Sequence, residues 1–118
     1  MLGYIVAGAG GAADRCLAEL SHRLDAAGLP FAGAIQINTA RHDGQPDDMD
    51  LRIIGTDRMI RISQSLGPGS AACRLNAAAL EEAAGLVGAA LDTGAPRVLL
   101  LNRFGRQEAE GRGFRPLI

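Results

Sequence analysis

The 118-residue chain contains no lysine; all twelve of its basic residues are arginine. That excludes a Schiff-base lysine and the lysine of a P-loop. Tryptophan is also absent, and one tyrosine and three phenylalanines are the whole aromatic complement. The core must therefore be built from Leu, Ile, Val and Ala. Neither sign of charge is in excess, with a formal net charge of -1. Without a basic surplus or aromatic rings for stacking, nucleic acid is not the expected partner. Two cysteines, Cys16 and Cys73, stand in no metal-ligand spacing and are too few for a disulfide framework. Cys16 falls within an expected helix and reads as a small core residue. No run approaches the roughly 20 apolar residues of a membrane span, so no membrane insertion is expected. No basic segment precedes the first apolar run, which argues against a signal peptide and for a cytoplasmic chain.

What remains is a sequence 47% apolar, rich in Ala and Gly, and long enough for one domain over residues 1–118. Leu2 to Ala7 reads as a short buried strand, followed at once by the Gly-rich "GAGGAADR". Asp14 is placed to cap a helix running from Arg15 to Ala27, with Leu17, Leu20 and Leu24 at helical spacing. Gly28 and Pro30 end it. Phe31 to Ile37 reads as a second strand, which completes a βαβ unit and implies a parallel sheet. "NTARHDGQPDDMD" is a polar loop. Leu51 to Ser63 reads as an antiparallel hairpin around "GTDR". Ala77 to Leu91 is a helix capped by Asn76, with Leu80, Ala84, Val87 and Leu91 on one face. Arg97 to Leu101 has the continuous apolar character of a parallel strand. Gly113 to Ile118 resembles the start of a further helix, so the sequence is expected to be truncated or to be completed by another chain. Leu117 and Ile118 are left without an obvious cover.

The Gly-rich turn sits where α/β proteins bind phosphates, because a helix N-terminus offers free N–H groups and a positive dipole end. In the P-loop register from Gly8, Ala13 stands for the second glycine, Asp14 for the lysine and Arg15 for the Ser/Thr. Ordinary NTP hydrolysis is not expected of such a turn. A dinucleotide fingerprint fits Gly8, Gly10 and Ala13, but Asn38 stands where an acid should hold the ribose. The alternative is a tight turn whose glycines, Gly11 among them, serve only close packing.

The stretch "NRFGRQEAEGRGF" follows the last strand, at the edge where open α/β sheets bind ligands. Arg103, Arg106, Arg112 and Arg115 offer bidentate donors to an oxyanion, and Arg74 can join them. Glu108 and Glu110 can pair those arginines, hold a cation or act as a base. The competing reading is a self-paired surface loop. His42, Asp43, Asp47 and Asp48 lack a ligating pattern, and a solvated loop is expected there rather than a metal site.

Three stretches, "ISQSLGPGS", "CRLN" and "NRFGRQEAEGRGFR", resemble the bacterial family called domain of unknown function 2478, over nearly the whole chain. The resemblance implies a P-loop nucleoside-triphosphatase-like α/β fold, with flanking helices on a parallel sheet and an inserted antiparallel hairpin. Family members tend to continue through a further helix and strand. Some are labelled molybdenum-transport ATP-binding proteins. In similar nucleoside-triphosphatases the last apolar strand ends in an acid that handles magnesium; here Asn102 stands there. The expectation is a domain with degenerate phosphate-binding motifs that binds a nucleotide (ATP or GTP, with magnesium) or an oxyanion such as molybdate or phosphate. Gly8, Gly10, Gly11, Asp14, Arg74, Asn102, Arg103, Arg106 and Arg112 would form the site, with Glu108 as the candidate catalytic residue. The alternatives are an active NTPase with non-standard residues, and a protein-interaction module that docks a partner or a second copy through its C-terminal segment.

Overall fold

A computed structural model describes residues 2–4, 12–42, 44, 47–64, 75–102 and 106–118, with Arg106 described by its backbone alone. Strands β1 (Phe31–Thr39), β2 (Asp48–Ile53), β3 (Met59–Arg61) and β4 (Val98–Leu101) form one sheet in the order β3-β2-β1-β4. Helices α1 (Ala12–Ala26) and α2 (Ala77–Asp92) precede β1 and β4, and a short α3 (Arg106–Ala109) and a 3₁₀ turn (Arg115–Leu117) end the chain.

The sheet is mixed rather than parallel. β1 pairs parallel with β4, whereas β1–β2 and β2–β3 are antiparallel. The expected hairpin is present, but it continues the main sheet through β1. The two ends of the expected polar loop are paired strand, with Asn38 opposite Met49 and Thr39 opposite Asp48. Polar residues extend the ladder because ladder bonds are made by the backbone, while the acidic side chains find cross-strand partners. Asp50 accepts from Arg61 Nε at 2.5 Å, and Asp48 lies 3.5 Å from the same guanidinium. The hydrogen bond to Asp50, then its charge, raises the Arg61 pKa and keeps the group cationic.

The expected first strand is not seen among the described residues. Leu2 and Tyr4 are exposed and carry no strand pairing, and the rest of that segment lies outside the described residues. α1 begins at Ala12, so Asp14 lies inside its first turn rather than capping it. Its end is as expected: Gly28, at φ 70°, donates to Asp25 O and Leu29 to Leu24 O, the paired bonds of a Schellman motif. The buried side of α1 runs through Leu17, Ala18, Ser21 and Leu24. Leu20, a quarter turn away, stays exposed, and so does Cys16, contrary to the core position expected for it. α2 matches its expected bounds closely, and Asn76 Oδ1 accepts from Ala79 N at 3.1 Å.

Two apolar clusters hold the layers together. The larger lies between the sheet and α2, where Leu51, Ile53, Ile60 and Ile62 meet Leu80, Ala83, Val87 and Phe114. The smaller, around Leu24, Ile35, Ile54 and Leu100, lies under α1. The C-terminal segment is covered in part, with Ile118 left exposed as expected. Phe114 is fully buried in the larger cluster and Leu117 packs beside it, 3.4 Å from the position a Cβ would take on Gly88. Gly33 in β1, at φ 140°, is required where the chain crosses β4, since any Cβ there would collide with the Leu100 carbonyl.

Candidate functional site

Each long helix leads through a short turn into a parallel strand, so the N-termini of α1 and α2 both lie at the carboxyl edge of β1 and β4. The two helices cover opposite faces of the sheet. On the α1 side this edge carries a chain of polar side chains. Gln36 Nε2 donates to Asn38 Oδ1 at 2.9 Å, and Asn38 Nδ2 donates to Asp14 Oδ2 at 3.2 Å. Asn102 Nδ2, from just past β4, donates to Asp14 Oδ1 at 2.8 Å. Asn102 is buried and held by its backbone, whose N–H donates to Ala34 O at 3.1 Å. A carboxylate in the first turn also interacts favourably with the helix dipole. Asp14 thus joins helix α1 to the ends of two adjacent strands.

Beside this chain opens a cleft of about 600 Å³ lined by Asp14, Arg15, Ala18, Gln36, Ile37, Asn38 and Asp47. Two residues expected to contribute, Asp14 and Asn102, are therefore brought into contact across 88 positions of sequence. Gly8, Gly10, Gly11, Arg74 and Arg103 lie outside the described residues, as do Cys73 and the side chain of Arg106. Arg112 is exposed and paired with Glu110, and neither Arg112 nor Arg115 lines the cleft.

Glu108 occupies a different place. It is 1% exposed, and its Oε1 accepts from Phe114 N at 3.2 Å. Gly113, at φ 60°, leaves no room for a Cβ against that carboxylate or the side chain of Leu80. Its N–H donates to Glu81 Oε1 at 2.7 Å. These contacts clamp the C-terminal segment onto the start of α2, and Glu108 does not line the cleft.

Sequence reasoning passed over Gln36, placed Asp47 in a solvated loop, and noted Asn38 only for not being an acid. The readable signal was Gln36 itself, a carboxamide inside the apolar run "FAGAIQI", two residues before another carboxamide at the strand end.

The model of the family described as "Protein of unknown function (DUF2478)" matches residues 2–118. The chain belongs to the DUF2478 family. It is also similar to a "Molybdenum import ATP-binding protein ModC 2" of Bradyrhizobium diazoefficiens, 36% identical over 102 residues. That match takes in 86% of this chain but only 11% of the relative, so the DUF2478 chain spans about a tenth of that protein. No solved structure matches. No helix among the described residues is long and apolar enough to cross a membrane.

Proposed function

We propose that this DUF2478 chain is a P-loop-like domain that binds a nucleotide at the carboxyl edge of β1 and β4 without ordinary hydrolysis. The observation that carries this reading is the setting of Asp14. In the P-loop register from Gly8 it occupies the lysine position, and its carboxylate is tied to Asn38 and Asn102 instead of offering a cation to a terminal phosphate. Asn102 supplies a carboxamide where an anionic magnesium ligand would stand. Both substitutions remove charge stabilisation that phosphoryl transfer needs, while leaving a polar cleft at a ligand-binding edge. Gly8, Gly10 and Gly11 directly precede α1 in sequence and would offer backbone donors to phosphate. Arg74, Arg103 and Arg106 would supply its counter-charge.

The relative's name supports a nucleotide as ligand and makes molybdate the oxyanion to set against it. Because the match takes in so little of that protein, a role in molybdenum import belongs to the proposal and not to the comparison. Glu108, enclosed against Phe114 and Gly113, reads better as a structural carboxylate than as the base of an active NTPase.

Thermal denaturation with ATP, GTP, phosphate or molybdate, each with and without magnesium, tests the reading. A ligand bound only by the folded state adds about 2.7 kcal/mol at a hundredfold excess over Kd. The expected result is a shift with ATP or GTP that survives chelation of magnesium, with no release of phosphate. Magnesium-dependent turnover would replace the proposal with an active NTPase. A shift with molybdate alone would make the site an oxyanion site. No shift with any of them would overturn nucleotide binding and favour an interaction module.

A further inference from the structure

We infer that the outer edge of β4 is the seat of a further strand, supplied in parallel by residues 2–7 of the same chain. The inference does not rest on the nucleotide reading above. β4 ends the described sheet, with β1 on one side and no described strand on the other. The ladder shows which groups this leaves over. Gly33 O accepts from Ile54 N on the β2 side and Ala34 O accepts from Asn102 N on the β4 side, so alternate residues serve alternate neighbours. Leu100 and Asn102 therefore face β1, and the N–H and C=O groups of Leu99 and Leu101 face outward. Sheet edges are normally blunted by charge or proline, and Val98–Leu101 has neither. Both of its faces are already covered. Val98 and Leu100 pack in the cluster under α1, and Leu99 and Leu101 pack against the cluster under α2. A strand added here lies between the same two layers and must be apolar at consecutive positions. The strand-like runs at β1, β2 and β3 are already paired. The run "LGYIVA" at residues 2–7 is the one left over. Leu2 and Tyr4 are 77% and 89% exposed without strand pairing, and Ile5, Val6 and Ala7 lie outside the described residues.

Topology selects the same edge. Crossovers between parallel strands are right-handed. Because α1 and α2 cover opposite faces, their two crossovers must run in opposite directions along the sheet. The step from β1 to β4 carries α2, so a strand leading through α1 into β1 has to come from the β4 side. β4 holds the adjacent place, which puts that strand beyond it. The tether reaches. Asn102 Nδ2 donates to Asp14 Oδ1 at 2.8 Å, which sets the first turn of α1 over the end of β4. Residues 8–11 can extend to about 14 Å, against roughly 5 Å between neighbouring strands. A segment on so short a tether meets its own edge at an effective concentration of about millimolar, ahead of the same segment from a second copy. The added strand would deliver the Gly-rich turn to the edge where Asp14 and Asn102 meet.

Amide hydrogen exchange of the wild-type chain by NMR tests this, together with a nitroxide on Leu2→Cys in a Cys16→Ser, Cys73→Ser background. The Leu99 and Leu101 amides should exchange as slowly as that of Leu100, which faces β1. The nitroxide should broaden the β4 amides and spare Met59 and Arg61 on the far edge of the sheet. The broadening should persist on dilution and appear only when label and observed amide share a chain. Of Ile5→Pro and Val6→Pro, one removes an N–H aimed at β4. That variant should lose the protection of Leu99 and Leu101 while Leu51 and Ile53 keep theirs. If neither proline variant folds, wild-type exchange and the nitroxide still decide. Free exchange at Leu99 and Leu101 with no broadening at β4 means an open edge, and the inference fails. Broadening of β3 instead overturns the handedness argument. Broadening between chains, with a doubled mass in solution, makes the occupant a second copy and overturns the assignment to the same chain. Protection untouched by both proline variants means that another segment covers the edge, and the inference fails again.

Discussion

Asp14 and Glu108 hold similar positions in the fold and opposite positions in its chemistry. Each is an acid in the first turn of a helix at the carboxyl edge of the β1–β4 pair. Asp14, on the α1 side, is half-buried and meets two amide side chains, Asn38 and Asn102, with Gln36 bonded to Asn38 behind them, beside an open cleft. Glu108, on the α2 side, is sealed in and accepts a backbone N–H, with a glycine pressed against it. A backbone donor fixes the path of the chain, and a side-chain amide can turn aside for a ligand. Partner type and burial, more than residue identity, separate a carboxylate that holds structure from one that can do work.

The largest effect should come from the Glu108 side. Gly113→Ala forces a Cβ toward the Glu108 carboxylate and the Leu80 side chain at a left-handed φ of 60°. Backbone strain and overpacking together should cost roughly 3 kcal/mol and lower Tm by about 10 °C or more. Glu108→Ala should cost a comparable amount, whereas Glu108→Gln keeps an acceptor for Phe114 N and should cost about half as much or less. Chemical denaturation of each variant checks this order. A Glu108→Gln chain that melts like wild type yet loses ligand turnover or binding would place Glu108 in the site and collapse the contrast.

The Asp14 side should respond the other way round. Asp14→Ala leaves the buried Asn102 amide without its partner, which should cost about 1–2 kcal/mol. Ligand affinity should fall further than stability does. Equal losses in both would reduce Asp14 to a second structural carboxylate.

Much of the scaffold was legible. Asn76 and the apolar spacing behind it announced α2, and replacing that cap by Ala should cost about 1 kcal/mol in denaturant unfolding. The "GTDR" turn announced the hairpin, and Gly28 with Pro30 the end of α1. The strand β2 was half hidden because Asp48 and Asp50 carry no apolar signal, and their cross-strand arginine is 11 residues or more away. The C-terminal clamp was hidden for a related reason. A buried Glu looks like any surface Glu until Gly113, Phe114 and Leu80 are seen to close around it. The polar row at Asp14 is assembled from residues up to 88 positions apart, and no local period records such a contact. Asn38 and Asn102 could be read as strand-end residues, but not as partners of one carboxylate.

Glu82 extends the comparison to an exposed acid and should show the smallest effect. It lies 2.7 Å from Arg58 Nη2 and ties the hairpin turn to α2, with both side chains more than half exposed. Water screens such a pair and two long side chains lose freedom to make it, so the coupling should be about 0.5 kcal/mol or less. A double-mutant cycle of Arg58→Ala and Glu82→Ala in urea measures it directly, and repeating the cycle in 1 M salt should bring it toward zero. The three acids would then rank by enclosure: Glu108 above Asp14, and Asp14 above Glu82. A coupling above about 1.5 kcal/mol at Glu82 would break that rank, because an exposed pair would then be matching what partial burial is held to confer on Asp14. The register between hairpin and helix, and not enclosure, would have to be what gives a carboxylate its structural weight in this fold.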